Sequence, residues 1–285
     1  PLDGGGDREC GSISIAKNGS ITQLCSVPSA CSIGGIYSAM TYLMGFKPHE
    51  HEYKIMGLAP YSHGHYGKGV YDNLAKILFL DGLNFRSSQK EKLGNAGMLY
   101  SDLFKYERFD NMASGLQKFT EDIVCQWIRN AIEFTGIPDI LLSGGVFMNV
   151  KVNQKIANLP EVGSVDVFPS CGDETNAFGI AYQINADKGS QKTGALSSFC
   201  LGPEPSSDLN LDLKPYLGEF DVTQIDNPEL KVAQLVADGN IVARCSGTME
   251  FGARALGNRS LIADPTTPDV VTKLNHMIKQ RDFWM

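Results

Sequence analysis

Apolar and polar residues alternate on both sides of an Asn-Gly pair near the start of the chain. The alternation covers residues 12–15 and residues 21–24, with Asn18 and Gly19 between them. A two-residue type I′ turn needs positive φ at both central positions, which Asn and Gly tolerate well. The pattern therefore predicts a β-hairpin, so the chain begins inside a sheet.

A second pattern, with apolar residues three and four positions apart, is typical of helices. It covers residues 32–45, where the predicted core stripe consists of Ile33, Ile36, Tyr37, Met40 and Met44. The longest example covers residues 110–136 and ends at Gly136. We expect this helix to lie across a sheet on a face formed by Met112, Leu116, Phe119, Ile123, Trp127, Ala131 and Phe134.

Two strand–loop–helix units follow this long helix. Residues 138–142 predict a short strand buried on both faces, followed by Gly144-Gly145 and a helix over 146–159. Residues 165–168 predict a second strand, then a loop over 169–176 and a helix over 177–186. Ligands of open α/β sheets bind at the carboxyl ends of strands, and helix N-termini attract anions. We therefore expect the two loops to face one pocket.

Beyond residue 188 the periodicity stops. Ser, Gly, Pro and Leu dominate as far as residue 215, which places a domain boundary at residues 190–215. A second domain then follows, with predicted strands over 220–225 and 241–245 and predicted helices over 228–238 and 268–280.

Composition and charge narrow the function classes. The 285 residues include 25 basic and 32 acidic side chains, a formal net charge of −7 without long charge runs. This balance argues against nucleic acid and against an anionic membrane as the main partner. No apolar stretch approaches the roughly 20 residues of a membrane helix. The 7 cysteines form no CxxC pair, which favours reduced thiols in a cytoplasmic protein over a disulfide framework.

Two H-x-H pairs raise the question of a metal site. His49 and His51 form the first pair, and His63 and His65 the second, in a segment with the composition of a polar loop. Neither pair has a nearby cysteine or acidic triad to complete a ligand set. We therefore favour solvated histidines over ligation.

The densest charged motif is EFGARALGNRS at residues 250–260. Arg254 and Arg259 carry guanidinium groups, which suit phosphate or carboxylate anions. The alternative is a structural role in which these arginines form salt bridges with Glu250 and Asp264. Lys279 and Arg281 would add positive charge to the same place.

Together the motifs resemble one family, the O-carbamoyltransferases of the nodulation-factor and antibiotic-tailoring type. The matching segments occur in order over nearly the whole chain: DGGGD at 3–7, SIGGIYS and TYLMGF within 32–46, HEYKIMGLAPY at 51–61, SGGVFMNVKVN at 143–153, PSCGDETNAFG at 169–179, EFGARALGNRSLIADP at 250–265 and IKQRDF at 278–283.

This resemblance implies an α/β fold with two modules. Residues 1–190 would form an actin-like ATPase (ASKHA, ribonuclease H-like) domain that transfers the carbamoyl group to a hydroxyl of a small-molecule acceptor. A linker over 191–215 would lead to residues 216–285, the beginning of an α+β YrdC-like domain. That second module would form carbamoyl adenylate from ATP and carbamoyl phosphate.

The resemblance also implies roles for individual residues. By motif, Asp3 and Asp173 would hold a divalent cation, either iron or Mg/Mn. Nucleotide contacts would come from Gly144, Gly145, Asn149, Gly172 and Lys54, with Glu52 beside Lys54; a structural role is an equal alternative for these last two. Arg254, Arg259 and Lys279 would hold the phosphate of carbamoyl phosphate and stabilise the charge that develops on adenylation.

The family's two metal-binding histidines lie in an HxxxH motif upstream of DGGGD, and none of the histidine pairs here replaces it. The chain therefore resembles a fragment, truncated in both modules. The alternatives are an isolated nucleotide- or metal-binding ASKHA module without full activity, and a different ASKHA enzyme such as a sugar kinase or a threonylcarbamoyl-transfer protein. The acceptor is left open, and a homo-oligomer is compatible with the sequence.

Overall fold

The computed structural model describes residues 1–63, 65–189, 194, 196–205 and 213–285. The chain forms two compact units, the first of residues 1–181 with Trp284 and the second of residues 182–283 with Met285. Of the predicted linker over 191–215, residues 191–193, 195 and 206–212 lie outside the described residues. That linker remains a prediction.

The first unit contains a three-stranded antiparallel sheet and two strand pairs. The sheet has the order β1-β2-β3, and its first turn places Asp7 and Arg8 at positive φ. The β4–β5 hairpin is antiparallel, whereas β6 and β7 pair in parallel. The strands are β1 (Leu2–Gly6), β2 (Glu9–Lys17), β3 (Ser20–Pro28), β4 (Leu78–Asp81), β5 (Asn84–Ser87), β6 (Asp139–Leu142) and β7 (Ser164–Val167).

The predicted hairpin is confirmed as β2 and β3. Lys17 pairs with Ser20, and the two residues between them have the expected positive φ, 52° at Asn18 and 74° at Gly19. Local turn chemistry therefore accounts for the pairing next to the turn. The register shifts further along, between Ile13 and Ser14 and between Glu9 and Gly11.

Six helices of the described part of the chain lie in the first unit, and a seventh, Asn176–Asp187, begins there and ends in the second. The Ser32 side chain caps α1 by accepting a hydrogen bond from the Gly35 N–H at 2.8 Å. The helices are α1 (Ile33–Leu43), α2 (Glu52–Leu58), α3 (Lys68–Ile77), α4 (Gly97–Phe104), α5 (Phe109–Thr135), α6 (Val150–Ala157) and α7 (Asn176–Asp187).

The core of the first unit surrounds α5. Six of the seven apolar residues predicted for the buried face of α5 are buried, but Phe134 is 68% exposed, so that prediction is wrong at the last turn. The expectation that α5 lies across a sheet is also wrong in its main contacts. The helix packs chiefly on α2, α3 and α6. Its strand contacts include β4 and also β5, where the Phe85 ring meets the Trp127 ring edge-on at 5.4 Å between centroids.

Two further expectations need correction in this unit. The segment over 49–61 is not a polar loop, because residues 52–58 form α2 and Ala59–Tyr61 form a 3₁₀ turn with Ile55 and Leu58 buried. The strand β6 is not buried on both faces. Its Leu142 is buried, but Leu141 is 71% exposed, because the two-stranded sheet is covered on one side only.

The second unit contains α8 (Pro228–Ala237), an antiparallel pair of β8 (Val242–Cys245) and β9 (Arg259–Ile262), and α9 (Pro268–Lys273). The predicted strand over 220–225 is wrong, since these residues adopt no strand. The last helix continues from α9 into a π-helical turn, Leu274–Lys279. The apolar residues Val271, Leu274, Met277 and Ile278, spaced three and four apart, predict one packed face for this helix. That prediction is wrong, because Val270 and Asn275 are buried whereas Val271, Met277 and Ile278 are exposed.

Candidate functional site

Three segments of the first unit meet at the carboxyl ends of β6 and β7. The Leu2 N–H donates to the Ser143 carbonyl at 2.8 Å, which ties the start of β1 to the end of β6. The Gly144 N–H donates to the Cys171 carbonyl at 2.8 Å, which ties the turn after β6 to the loop after β7. The two loops that the sequence predicts to be neighbours are therefore in direct contact, and β1 lies beside them.

Glycine permits this close approach of main chains. Gly144 has φ 98°, and a Cβ atom there would lie 2.2 Å from the Leu2 carbonyl oxygen. A Cβ atom on Gly34 would lie 2.8 Å from the Asp3 carbonyl oxygen. Real Cβ atoms do not approach main-chain oxygens so closely, so any side chain at either position would separate the segments.

Asp3 lies at the centre of this meeting point and is half-buried. The Gly4 N–H donates to its Oδ1 at 2.7 Å, and a Cβ atom on Gly145 would lie 2.9 Å from the same oxygen. The Ser32 hydroxyl, which is buried, lies 2.7 Å from the Gly4 carbonyl oxygen and 3.1 Å from that of Asp3. The first turn of α1 thus holds the main chain that carries the Asp3 carboxylate.

Asp173 is exposed and opens the 3₁₀ turn Asp173–Thr175. Just before it, the carbonyl of Gly172 accepts hydrogen bonds from the Thr175 N–H at 3.1 Å and the Thr175 hydroxyl at 2.8 Å. Burial raises the pKa of the neighbouring Cys171 thiol to about 11, and the nearby charges of Glu174 and Asp3 act in the same direction. The carboxylates of Glu174 and Asp3 therefore lie close enough to this thiol to disfavour its thiolate form.

The donor set fits a divalent cation only in part. Carboxylate oxygens suit hard cations such as Mg²⁺, and the chain offers those of Asp3 and Asp173. Within the described ranges, however, no group of three or more His, Cys, Asp or Glu side chains lies close enough to hold a metal ion. The described residues would supply only some of the ligands of such a cation.

Asn149 and Lys54 have structural contacts of their own. The Asn149 side chain caps α6 by accepting hydrogen bonds from the N–H groups of Lys151 and Val152, both at 3.2 Å. The Lys54 Nζ lies 5.7 Å from the centroid of the Phe46 ring, a cation–π contact on the side of α2.

The arginine loop of the second unit is organised by Glu250. Its Oε1 accepts hydrogen bonds from the N–H groups of Asn258 at 2.6 Å, Leu256 at 3.0 Å and Arg259 at 3.1 Å. Loss of hydration would raise the pKa of this carboxyl, but main-chain N–H donors, including that of Glu250 itself, outweigh it and lower the pKa to about 2. The carboxylate therefore acts as an acceptor for the loop's own amides.

The Arg259 guanidinium is committed to the main chain as well. Its nitrogens donate to the carbonyls of Ser246 at 3.0 Å and Gly247 at 3.1 and 3.2 Å. Asp264 instead accepts from Thr266. Among the described residues neither Arg254 nor Arg259 pairs with a carboxylate, so the salt bridges considered for this loop are wrong. Arg254 is exposed, and so is Lys279 at the end of the π-helical turn.

Sequence reasoning missed a polar group inside the first unit. Tyr37, Gln117 and Glu121 are buried, and the first two are joined by a hydrogen bond of 3.0 Å from the Tyr37 hydroxyl to the Gln117 Oε1. The signal was present, because Gln117 and Glu121 are four residues apart and flank the apolar stripe of α5. The apolar periodicity of α5 does not indicate them, because both side chains are polar.

The first unit and part of the second match two family models. The model described as the carbamoyltransferase N-terminus covers residues 1–182, and that described as the carbamoyltransferase C-terminus covers residues 233–285. No described helix combines the length and apolar character needed to cross a bilayer.

Several curated relatives are similar to this chain. Nodulation protein NolNO of Sinorhizobium fredii is 28% identical over 99% of this chain and 42% of its own length. An uncharacterised protein of Methanocaldococcus jannaschii is 31% identical over 99% of this chain and 55% of its own length. The 3'-hydroxymethylcephem-O-carbamoyltransferase of Streptomyces clavuligerus is 30% identical over 50% of this chain and 26% of its own length. The chain thus spans about half the length of the relatives that cover nearly all of it.

Proposed function

The chain belongs to the carbamoyltransferase family, and we propose that it is part of an enzyme that uses ATP and carbamoyl phosphate to carbamoylate a hydroxyl group. Carbamoyl phosphate, water and ATP would give carbamoyl adenylate, with release of inorganic phosphate from carbamoyl phosphate and of pyrophosphate from ATP. Transfer of the carbamoyl group to the hydroxyl would then release AMP. The acceptor would be a small molecule, either a sugar or a natural product. A cephem hydroxymethyl group is named for one relative, which supports a hydroxyl acceptor. The proposed compartment is the cytoplasm.

One observation supports nucleotide binding in the first unit above the others. The turn at Gly144 and the loop at Gly172 lie side by side at the ends of two parallel strands, joined by the hydrogen bond to Cys171. Glycine turns at this edge of an α/β sheet let main-chain N–H groups approach phosphate oxygens. We therefore assign nucleotide phosphate contacts to Gly145 and Gly172. Gly144, whose N–H donates to the Cys171 carbonyl, would shape the turn.

Asp3 and Asp173 would supply two carboxylates to a divalent cation beside this turn. When bound, such a cation screens the negative charge of the nucleotide phosphates. The remaining ligands of the cation would come from residues other than the described ones. Asn149, which caps α6 directly after the glycine turn, would maintain the position of the turn. Lys54, on α2, would contact the nucleotide.

In the second unit we assign the phosphate of carbamoyl phosphate to Arg254 and Lys279, whose side chains are exposed. Guanidinium and ammonium groups form charge-assisted hydrogen bonds to phosphate oxygens, which also stabilise the charge that develops on adenylation. Arg259 would contribute through the shape of the loop, because its guanidinium donates to the Ser246 and Gly247 carbonyls.

Pyrophosphate release tests this function. The full-length native protein, incubated with ATP and carbamoyl phosphate, is expected to release pyrophosphate only when both are present. Reactions that lack carbamoyl phosphate serve as the control, and the 285-residue chain is assayed in parallel. The proposal is wrong if the full-length protein releases none.

The second candidate function is a nucleotide-binding module without activity of its own. The absence of a cluster of three metal ligands among the described residues favours it for the isolated chain. Calorimetry with ATP, combined with the pyrophosphate assay, distinguishes this module from the enzyme. Binding of ATP by the chain without release of pyrophosphate indicates a module that needs further metal ligands for activity. A threonylcarbamoyl-transfer protein is disfavoured, because residues 233–285 match the carbamoyltransferase C-terminus.

A further inference from the structure

We infer that Gln117 is a positioning residue for the nucleotide site, holding Asn149 and with it the glycine turn after β6. This inference rests on the proposed function for its kinetic part and on the geometry for the rest. Gln117 lies on α5 and is 5% exposed. It acts through a pair of side-chain amides.

All four hydrogen-bonding positions of the Gln117 amide are used. Its Nε2 donates to the Glu121 Oε1 at 2.8 Å and to the Asn149 Oδ1 at 3.1 Å. Its Oε1 accepts from the Tyr37 hydroxyl at 3.0 Å and from the Asn149 Nδ2 at 2.8 Å. Gln117 and Asn149 therefore form a two-bond amide pair, which fixes both distance and orientation.

The orientation of this pair is determined from the side of Glu121. The Glu121 Oε2 accepts from the Lys155 Nζ at 2.6 Å, so the carboxylate is paired with a cation and can only accept. The Gln117 Nε2 must therefore point toward Glu121. A flipped amide would place oxygen against oxygen on that side and would leave a buried donor without a partner.

Asn149 passes this constraint to the glycine turn. Its Oδ1 caps α6, and from α6 the Asn153 Nδ2 donates to the Phe147 carbonyl at 2.6 Å. Phe147 belongs to the 3₁₀ turn Gly145–Met148, which begins beside the Asp3 carboxylate. A shift of Asn149 would therefore move the main-chain N–H groups that we assign to nucleotide phosphate.

Tyr37 connects the same pair to the other wall of the site. It lies one turn after the start of α1, whose cap Ser32 contacts the carbonyls of Asp3 and Gly4. Gln117 thus joins, through one amide, the helix that holds β1 and the helix that follows the glycine turn. An apolar side chain of similar volume would fill the space but set neither position.

Substitution of Gln117 by Met tests the inference, because Met has a similar volume and makes no such hydrogen bonds. The matched control is Gln126→Met on the same helix, where an exposed Gln126 donates to Asn130 at 2.8 Å with the same four-residue spacing. Both variants are made in the full-length native protein. Amide exchange of residues 143–153 and the KM values for ATP and carbamoyl phosphate are measured for each.

We expect Gln117→Met to speed amide exchange over residues 143–153 and to raise the KM for ATP about tenfold, since the two hydrogen bonds that hold Asn149 are lost. The KM for carbamoyl phosphate should stay unchanged, and Gln126→Met should behave as the unsubstituted protein. A merely structural role would instead lower kcat through loss of folded protein and leave both KM values as they are.

The inference is overturned if exchange over residues 143–153 is the same in both variants. Because exchange is read without turnover, this result differs from failure of the proposed function, in which the unsubstituted protein releases no pyrophosphate. If Gln117→Met does not fold, Tyr37→Phe removes one hydrogen bond at nearly constant volume. Exchange over residues 143–153 should then increase to a smaller extent, and no increase contradicts the inference.

Discussion

The glycine turn at Gly144 and the arginine loop over residues 250–260 are both assigned to phosphate groups, but different parts of the chain maintain their shapes. At Gly144 the main chains of three segments touch, and the absence of a side chain makes that contact possible. In the arginine loop the main chain is held from within by side chains, with Glu250 accepting from N–H groups and Arg259 donating to carbonyls.

Two arginines in one motif can differ in their availability to an anion, as the arginine loop shows. Arg254 and Arg259 look equivalent in the sequence, five positions apart in one motif. Arg259 is half-buried and used by its own loop, whereas Arg254 is exposed. The glycine turn should therefore be sensitive to added volume, and the arginine loop to removed charge.

Gly144→Ala should have the largest effect on stability. The new Cβ would collide with the Leu2 carbonyl and would sit at φ 98°, so we expect a loss of roughly 2–4 kcal/mol in the first unit. Urea unfolding followed by tryptophan fluorescence measures it. Gly19→Ala is the matched control, with φ 74° but no atom within 4 Å, and should cost about 1 kcal/mol. Equal losses would show that contact with Leu2 does not matter.

The two arginines should separate in kinetics. For Arg254→Gln we expect the KM for carbamoyl phosphate to rise about tenfold or more, because a charge-assisted hydrogen bond to phosphate is lost. Amide exchange of the loop should not change. For Arg259→Gln we also expect a rise in the KM for carbamoyl phosphate. In this variant the amides that follow the Ser246 and Gly247 carbonyls should exchange faster, because those carbonyls lose the guanidinium donor. Identical behaviour of the two variants would contradict the assignment of different roles.

The smallest expected effect is a pH dependence confined to the arginine loop. The pKa of Glu250 is lowered to about 2, so its stabilising contribution is fully present above the unfolded value of about 4.3 and is lost as the pH falls toward 2. Amide exchange at Leu256, Asn258 and Arg259, corrected for intrinsic rates, should increase over that window. The increase should be absent from Glu250→Gln, whose side chain does not titrate. If exchange in Glu250→Gln still increases as the pH falls, as it does in the unsubstituted protein, the effect belongs to another group.

Much of the fold of the first unit could be predicted from local patterns. The hairpin at Asn18-Gly19, α1 with its Ser32 cap and the end of α5 at Gly136 all follow from residues within a few positions of each element. Errors occur where burial depends on distant neighbours. Phe134 and Leu141 are apolar and correctly placed in their elements, but nothing in the described structure covers them.

The candidate site divides in the same way. The contact between the loops after β6 and β7 could be anticipated, because parallel strands end at one edge of a sheet. The Gln117–Asn149 pair could not, since its partners are 32 residues apart and each has an ordinary local interpretation, one as a helix surface residue and one as a helix cap.

The sequence by itself thus determined the elements, the family and the segments that carry the glycines and charges, because turn residues, periodicity and motifs act over short distances. The tertiary structure alone decided which of those groups remain available to a ligand. Arg259 is occupied by carbonyls of Ser246 and Gly247, and Asn149 by Gln117, because hydrogen bonds between residues far apart in the chain form only when folding brings the partners together.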